Sequence, residues 1–456
     1  MISAAFTEKL AAVVGPKWVL TDPAELACYA RDASVASGHP AAVVLPGSTS
    51  EVSAVLRLAA EAGIPVTPRG AGTGLAGGAV PGEGMVLALT RIRQLAVHKQ
   101  DLVAVAGAGA ITADLHTAAE TDGLFYPPDP SSASVCTIGG NIATNAGGPH
   151  GFKYGVTRDY LLGLEVVLAD GTVLQTGGRT LKNSTGYSLT QLLCGSEGTL
   201  GVITQAVLRL IPRPEDRAGV LAAFDDAGAA AQAVLDIIAA GISPGAIELM
   251  DRTALEPAAE SLWPHPPAAV LLVEVDGPGE VVQRHAGKIE DICGRSADKT
   301  QRAAGADYEE FHRLRRSISG SLTRLYPVKI GEDVAVPVGR VTDFIEKVTG
   351  ISKDTCVRIA VFGHAADGNL HPNILFDPRD TDERQVKAAM DGIFQAALKC
   401  GGTLSGEHGI GMLKAPYFET AVGSEAVAVM RGIKKAFDPR GLLNPGKIWL
   451  TGGEVK

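Results

Sequence analysis

Apolar and polar positions alternate along this chain in two distinct rhythms. Val43-Val44-Leu45-Pro46 is a short apolar run bounded by turn formers and predicts a strand. Apolar residues then recur at helical spacing over 49–63. Thr49 or Ser50 supplies the start of that helix and Gly63 its end. Residues 64–67, 85–90 and 102–106 predict strands, and 112–122 a helix. A strand over 162–168 runs into Asp170-Gly171, a hairpin signal before Thr172-Val173-Leu174. The polar, proline-broken stretch Pro212-Arg213-Pro214-Glu215-Asp216 marks a domain boundary. From 217 to 412 helices (227–240, 281–293, 308–325) interleave with strands (247–250, 269–275, near 334–336, 357–362). That rhythm predicts an α+β layer built on antiparallel strands. The Pro- and Gly-bearing tail at 439–447 resists regular structure. The expected division is residues 1–214 (core about 38–214), 215–412 and 413–456.

Composition narrows the function classes. With 456 residues the chain has material for two or three domains. A net charge of −9 without a long basic run argues against nucleic acid as a partner. The six cysteines (28, 136, 194, 293, 356, 400) are scattered and form no Cys-x-x-Cys pair. A disulfide framework, zinc ribbon or iron–sulfur cluster is therefore not expected, and a reducing cytoplasm fits. No signal-peptide profile and no membrane-spanning apolar run stand out. Peripheral attachment at a membrane would need a partner, and a homodimer is a compatible assembly.

Glycine is abundant, 55 residues, and concentrated in informative places. Pro68-Arg69-Gly70-Ala71-Gly72-Thr73-Gly74-Leu75-Ala76-Gly77-Gly78 is one rich loop. Tyr126 to Gly155 is another, with prolines fixing its start and Gly139-Gly140-Asn141 and Asn145-Ala146-Gly147-Gly148 inside it. Bare amides of this kind let a bulky anion approach the main chain, and two such nests suit a pyrophosphate. Gly72 to Gly77 also matches the G-x-G-x-x-G dinucleotide fingerprint. That motif needs a helix beginning within it, and Gly78, Pro81, Gly82 and Gly84 forbid one. A nicotinamide fold is rejected.

The order of motifs resembles the FAD-linked 2-hydroxy-acid dehydrogenases of the vanillyl-alcohol-oxidase superfamily. The resemblance rests on Pro-Arg-Gly-Ala-Gly-Thr-Gly at 68–74 and Thr-Ile-Gly-Gly-Asn-Ile-Ala-Thr-Asn-Ala-Gly-Gly at 137–148. It continues in Gly-Ser-Glu-Gly-Thr-Leu-Gly-Val-Ile-Thr at 195–204, Gly-His-Ala-Ala-Asp-Gly-Asn-Leu-His at 363–371, Ser-Gly-Glu-His-Gly-Ile-Gly at 405–411 and Leu-Asn-Pro-Gly-Lys at 443–447. It implies a two-lobed α+β FAD-binding domain of the PCMH type, a substrate-cap domain with an antiparallel sheet, and a C-terminal segment returning to the flavin. The implied FAD contacts are Pro68, Arg69, Gly70, Ala71, Gly72, Thr73, Gly74 and Gly77 in the first loop. In the second they are Pro128, Asp129, Ser132, Thr137, Gly139, Gly140, Asn141, Thr144, Asn145, Gly147, Gly148 and Tyr154. Glu197, Gly198, Gly201, Val202, Ile203 and Asn444 complete the set. Some relatives bond the flavin covalently through a histidine in the first loop. Thr73 occupies that place here, which implies non-covalent FAD.

Two histidines suggest a metal. Asp367-Gly368 is a two-residue hairpin signal, and counting outward pairs His364 with His371, Cβ atoms roughly 5 Å apart. The bland alternative is a polar turn with two incidental histidines. Glu407, on a glycine-flanked loop, adds a carboxylate, and two imidazoles plus one carboxylate leave open positions on a divalent ion. The resemblance assigns His364, His371 and Glu407 to zinc or a similar ion such as Mn or Fe. It assigns His408 to the active-site base; a further metal ligand is the alternative for that residue. It also matches Arg315 to the substrate-carboxylate arginine, with Arg316 as the alternative because one residue is inserted before Glu332. Lys329 and Asn373 match further substrate contacts.

The expected reaction is oxidation of a D-2-hydroxy acid, D-lactate or glycolate first, with hydride passing to flavin N5. D-2-hydroxyglutarate as substrate, or a non-catalytic flavin-binding subunit of a glycolate oxidase complex, are the alternatives. Electrons would leave to a quinone, an electron-transfer flavoprotein, a cytochrome or an iron–sulfur subunit.

Overall fold

The computed structural model describes residues 2–258, 263, 265–303 and 306–450; positions 451–456 of the expected C-terminal segment lie outside the described residues. The chain divides into two compact units. The first comprises Met1–Ala146, Val156–Arg213 and Glu407–Lys456, the second Gly147–Gly155 and Pro214–Gly406.

The first unit has two lobes. One carries a four-stranded sheet in the order Val19–Leu20, Ala42–Val44, Met85–Ala88, Val66–Arg69. The last three strands are parallel, which requires a crossover, and helix Thr49–Ala62 is part of one. Its N-cap is Ser48 rather than Thr49 or Ser50: the Ser48 hydroxyl accepts the Glu51 amide at 3.3 Å. Gly63 closes the helix at φ +66°, a left-handed turn that glycine adopts without strain. The other lobe is a five-stranded antiparallel sheet in the order Leu95–His98, Val103–Gly107, Val202–Arg209, Leu161–Val167, Val173–Gly177. After two helices, Ala415–Val422 and Ser424–Phe437, the chain returns to the first lobe. Val66 donates to Leu442 and Asn444 donates to Val66, both at 2.8 Å.

Part of the second glycine-rich region is helical, against the loop expected there. Thr137 caps helix Ile138–Thr144, and Asn145 ends it at φ +54°. Gly139 is required inside it, because a Cβ there would lie 2.7 Å from Ala108 Cβ.

The second unit is built on an antiparallel sheet running Lys299–Ala303, Asp216–Phe224, Ala269–Gly277, Ala246–Asp251, Arg358–His364, Asn369–Phe376, Val328–Gly331, with Val334–Ala335 also on Asn369–Phe376. Side chains alternate across it. Leu221, Met250, Val270, Leu272, Ala360, Phe362 and Leu375 share one face, and the long helix Ala306–Leu325 buries Phe311, Leu314, Ile318 and Leu322 against it. Helices Ala227–Ala239, Gly279–Cys293 and Val341–Thr355 pack on strands of the same sheet. No helix among the described residues is long and apolar enough to cross a membrane.

Candidate active site

In the first unit the glycine-rich stretches converge. A Cβ on Gly70 would fall 2.3 Å from Thr137 Oγ1, so the first loop lies directly against the cap of helix Ile138–Thr144. The third stretch docks on the same helix: Gly195 and Glu197 donate to Ile142 (2.9 Å) and Ala143 (2.8 Å). Gly198, at φ +71°, rests on Pro68, which a Cβ would approach to 3.2 Å. The first nest is irregular from Gly70 onward; Gly72 there has φ +75°, and a side chain on it would meet the Arg69 guanidinium.

Several expected FAD contacts use their side chains within the protein. Arg69 is buried beneath its own loop, donates to Ala79 O at 3.3 Å and faces the Tyr29 ring. Asn141 donates to Thr112 at 2.7 Å, Thr144 to Gly140 O at 3.2 Å, and Asn145 accepts the Arg158 amide at 2.9 Å. Glu197 accepts the amides of Ile410 (2.8 Å) and Gly411 (2.7 Å). Burial raises its pKa, while those two amides and the cations Lys447 and Lys414 oppose the rise. Asn444 donates from one amide to Gly78 O (2.9 Å) and Glu197 O (2.7 Å), which ties the tail to two of the glycine-rich stretches. Its Oδ1 is buried without a hydrogen-bond partner among the described residues. A wall of glycine backbone with one unsatisfied buried acceptor fits a polar ligand that supplies a donor.

Gly147–Gly155 belongs to the second unit. Gly147, Gly148 and Tyr154, expected to meet FAD, therefore lie in that unit. Lys153 forms an ion pair with Asp276 and donates to its carbonyl at 2.7 Å, and Tyr154 donates to the Asp276 carboxylate at 2.6 Å. Beside it Glu274 accepts from Tyr308 and faces His150 at 3.6 Å and His312 at 3.4 Å. Burial alone would raise the Glu274 pKa; His150, Tyr308 and His312 outweigh it and hold it down at about 2.

Glu274 and Asp276 begin a polar row on the helix-covered face of the sheet. The row continues through Glu248 and His364, which are register partners, to His371 and Asn373. The hairpin differs from the expected pairing. His364 opposes Asn369 and His371 opposes Phe362, because the turn spans four residues, 365–368, rather than two. Gly368, at φ +74°, permits this, since a Cβ there would lie 1.9 Å from Val336 O. The slip is by two positions, an even number, so both imidazoles keep the same face. Their ring centroids are 5.2 Å apart at 89°.

Buried groups surround this pair. Glu248 contacts His364 Nδ1 through one oxygen and accepts from Arg315 Nε through the other. Arg315 lies over the Phe362 ring, 4.6 Å from its centroid, whereas Arg316 is exposed. Asp333 lies 3.5 Å from His371 Nδ1 and accepts from Asn369 (2.6 Å), Ser405 (2.6 Å) and the Gly406 amide (2.9 Å). Carboxylates facing the Nδ1 atoms suit imidazoles that bind a metal through the other nitrogen. Asn373 donates to His371 O at 2.7 Å. Lys329 donates to Ser319 at 2.5 Å, one helical turn beyond Arg315, and burial lowers its pKa. In the first unit, Glu407 and His408 approach each other to 3.9 Å.

Glu248 and Asp333 were not singled out from sequence. A lone glutamate in the apolar strand Ala246–Asp251 was the available signal, since a buried carboxylate demands partners.

Comparison with known proteins agrees with this architecture. Residues 40–177 match an FAD binding domain, and 213–448 match the FAD linked oxidases, C-terminal domain. The chain is 44% identical to glycolate oxidase subunit GlcD of Bacillus subtilis (strain 168), covering 98% of this chain and 97% of that protein. It is 35% identical to a D-lactate dehydrogenase of Anaerostipes hadrus, covering 93% and 91%. The solved structure of p-cresol methylhydroxylase with substrate bound shares the fold at a TM-score of 0.81 and 16% identity, covering 97% of this chain and 96% of that one. The glycine-lined cradle is thus that of a PCMH-type FAD-binding fold, and the chain belongs to the FAD-linked 2-hydroxy-acid dehydrogenases.

Proposed function

We propose that the chain oxidises D-lactate or glycolate to the 2-oxo acid, with dissociable FAD and a divalent metal ion, zinc first. The observation that carries this reading is Arg315, a partly buried guanidinium tied through one carboxylate to His364. A 2-hydroxy acid presents a carboxylate and a neighbouring hydroxyl, and a guanidinium beside imidazoles suits both.

In this reading Arg315 clamps the substrate carboxylate in two-point fashion, and Asn373 steadies its far side. His364, His371 and Glu407 would hold the ion, and Asp333, beside His371 Nδ1, is a further candidate donor. Glu407 follows directly after Gly406, whose amide Asp333 holds, so chain continuity favours its assignment. His408 takes the hydroxyl proton on an imidazole nitrogen. When bound, FAD supplies the two-electron acceptor at N5 and the metal supplies charge that lowers the hydroxyl pKa. Residues 1–214 with the returning tail hold the flavin, and 215–412 form the cap. Electrons then leave to a quinone, an electron-transfer flavoprotein, a cytochrome or an iron–sulfur subunit, and a cytoplasmic chain docked on such a partner fits.

A second reading, D-2-hydroxyglutarate, has one observation in its favour. Lys329 and Ser319 place a cation and a hydroxyl one turn from Arg315, where a second carboxylate of a longer acid would reach. Anaerobic bleaching of the flavin absorbance by glycolate, D-lactate and D-2-hydroxyglutarate in turn separates the readings. Bleaching by none of the three would remove both.

A further inference from the structure

We propose that Glu248 is a positioning residue that aims the metal-ligating imidazole of His364 and the carboxylate-binding guanidinium of Arg315 with a single carboxylate. The inference rests on the reading above, in which those two residues hold metal and substrate.

Glu248 is 2% exposed, in the middle of strand Ala246–Asp251 with apolar neighbours on either side in sequence. A carboxylate in such a strand is unfavourable unless its lone pairs are used. Here Oε1 meets His364 Nδ1 and Oε2 meets Arg315 Nε. Each contact constrains its partner. An ionised carboxylate can only accept, so it holds a proton on His364 Nδ1, and the neutral imidazole then has its lone pair on Nε2, the state a metal requires. Engaging the Nε of Arg315 orients the planar fork so that its Nη1–Nη2 edge is the one a substrate carboxylate meets. Phe362 lies under the same guanidinium and lies opposite His371 in the hairpin, which limits rotation of the fork. Metal site and substrate clamp therefore share one fixed point, on a central strand rather than a loop.

Glu248→Gln preserves shape and removes this logic. The amide can accept from Arg315 only by turning its NH2 toward His364 Nδ1. That drives the imidazole proton to Nε2, the nitrogen the metal needs. The test uses purified full-length protein with FAD bound. Zn2+ affinity is measured by competition with a chromophoric chelator, alongside flavin content, circular dichroism, and KM and kcat for the best acid of the substrate panel. Expected for Glu248→Gln is a 10- to 100-fold weaker Zn2+ affinity and a raised KM, with flavin content unchanged. Glu248→Asp keeps the charge but is one methylene too short to reach both partners. It should weaken Zn2+ binding in the same direction, and it serves if the glutamine variant does not fold. Wild-type Zn2+ affinity and KM in a folded Glu248→Gln or Glu248→Asp protein would overturn the proposal while leaving the proposed reaction standing. A wild-type protein that binds no Zn2+, Mn2+ or Fe2+ would overturn the metal assignment, and this inference with it.

Discussion

His364 and His371 stand diagonally across a hairpin, ring centroids 5.2 Å apart and planes nearly perpendicular, with a carboxylate at the Nδ1 side of each. If this pair holds a divalent ion, chelation should abolish turnover while leaving FAD bound, because the flavin cradle lies in the other unit. His371→Ala should lose metal content and fall at least 100-fold in kcat, with flavin absorbance retained. Full activity after metal removal verified by elemental analysis contradicts the assignment.

Gly70 should be intolerant of any side chain. Its Cβ would fall 2.3 Å from Thr137 Oγ1, on a threonine held by its helix-capping bond. Gly70→Ala must push the two cofactor loops apart, an overpacking cost of about 1–3 kcal/mol. The expected result is a lowered flavin-to-protein ratio and a lower Tm, both read directly on the purified variant. A normal ratio would mean that the contact between the loops does not matter for flavin retention.

Flavin should also leave intact on denaturation, since Thr73 stands where a covalent relative has histidine. Trichloroacetic acid should release all flavin fluorescence to the supernatant. Fluorescence that remains with the precipitated polypeptide refutes the non-covalent assignment.

Glu274 gives a pH dependence with a definite sign. Its folded-state pKa, about 2, lies below the ordinary 4.5. The stability it contributes is therefore present above about pH 4.5 and lost as pH falls from there toward 2. The lowering corresponds to at most on the order of 3 kcal/mol. Thermal melts between pH 2 and 6 should fall more steeply for wild type than for Glu274→Gln. Parallel curves would show that the buried ion network of His150, Tyr308 and His312 adds nothing at neutral pH.

Much of this was legible in the sequence where local signals and packing agree. Helix Thr49–Ala62 has apolar periodicity, a capping serine and a terminal glycine, and it is offset only in which residue caps it. The refusal of Gly72–Gly84 to start a helix also holds: strand Val66–Arg69 is followed by irregular chain as far as strand Met85–Ala88. Helix Ile138–Thr144 escaped notice because two glycines in seven residues erase its periodicity, and its stability comes from Thr137 and from packing on Ala108. The hairpin register was displaced because Asp367-Gly368 reads as a tight turn. The wider turn is fixed by Val336, whose amide bonds Gly368 O at 3.0 Å, a contact distant in sequence. Glu248 and Asp333 were invisible for a related reason: their partners come from a helix, other strands and a distant loop.

In the proposed reaction Arg315 binds the acid and His408 removes its proton. Anaerobic stopped-flow flavin reduction against substrate concentration tests it, on wild type, Arg315→Ala, Arg315→Lys and His408→Ala. Arg315→Ala should mainly raise the half-saturating concentration and Arg315→Lys should recover little, because an ammonium cannot reproduce the planar two-point contact. His408→Ala should saturate near the wild-type concentration but reduce its flavin roughly 100-fold more slowly. Normal saturation in Arg315→Ala, or a wild-type reduction rate in His408→Ala, would contradict it.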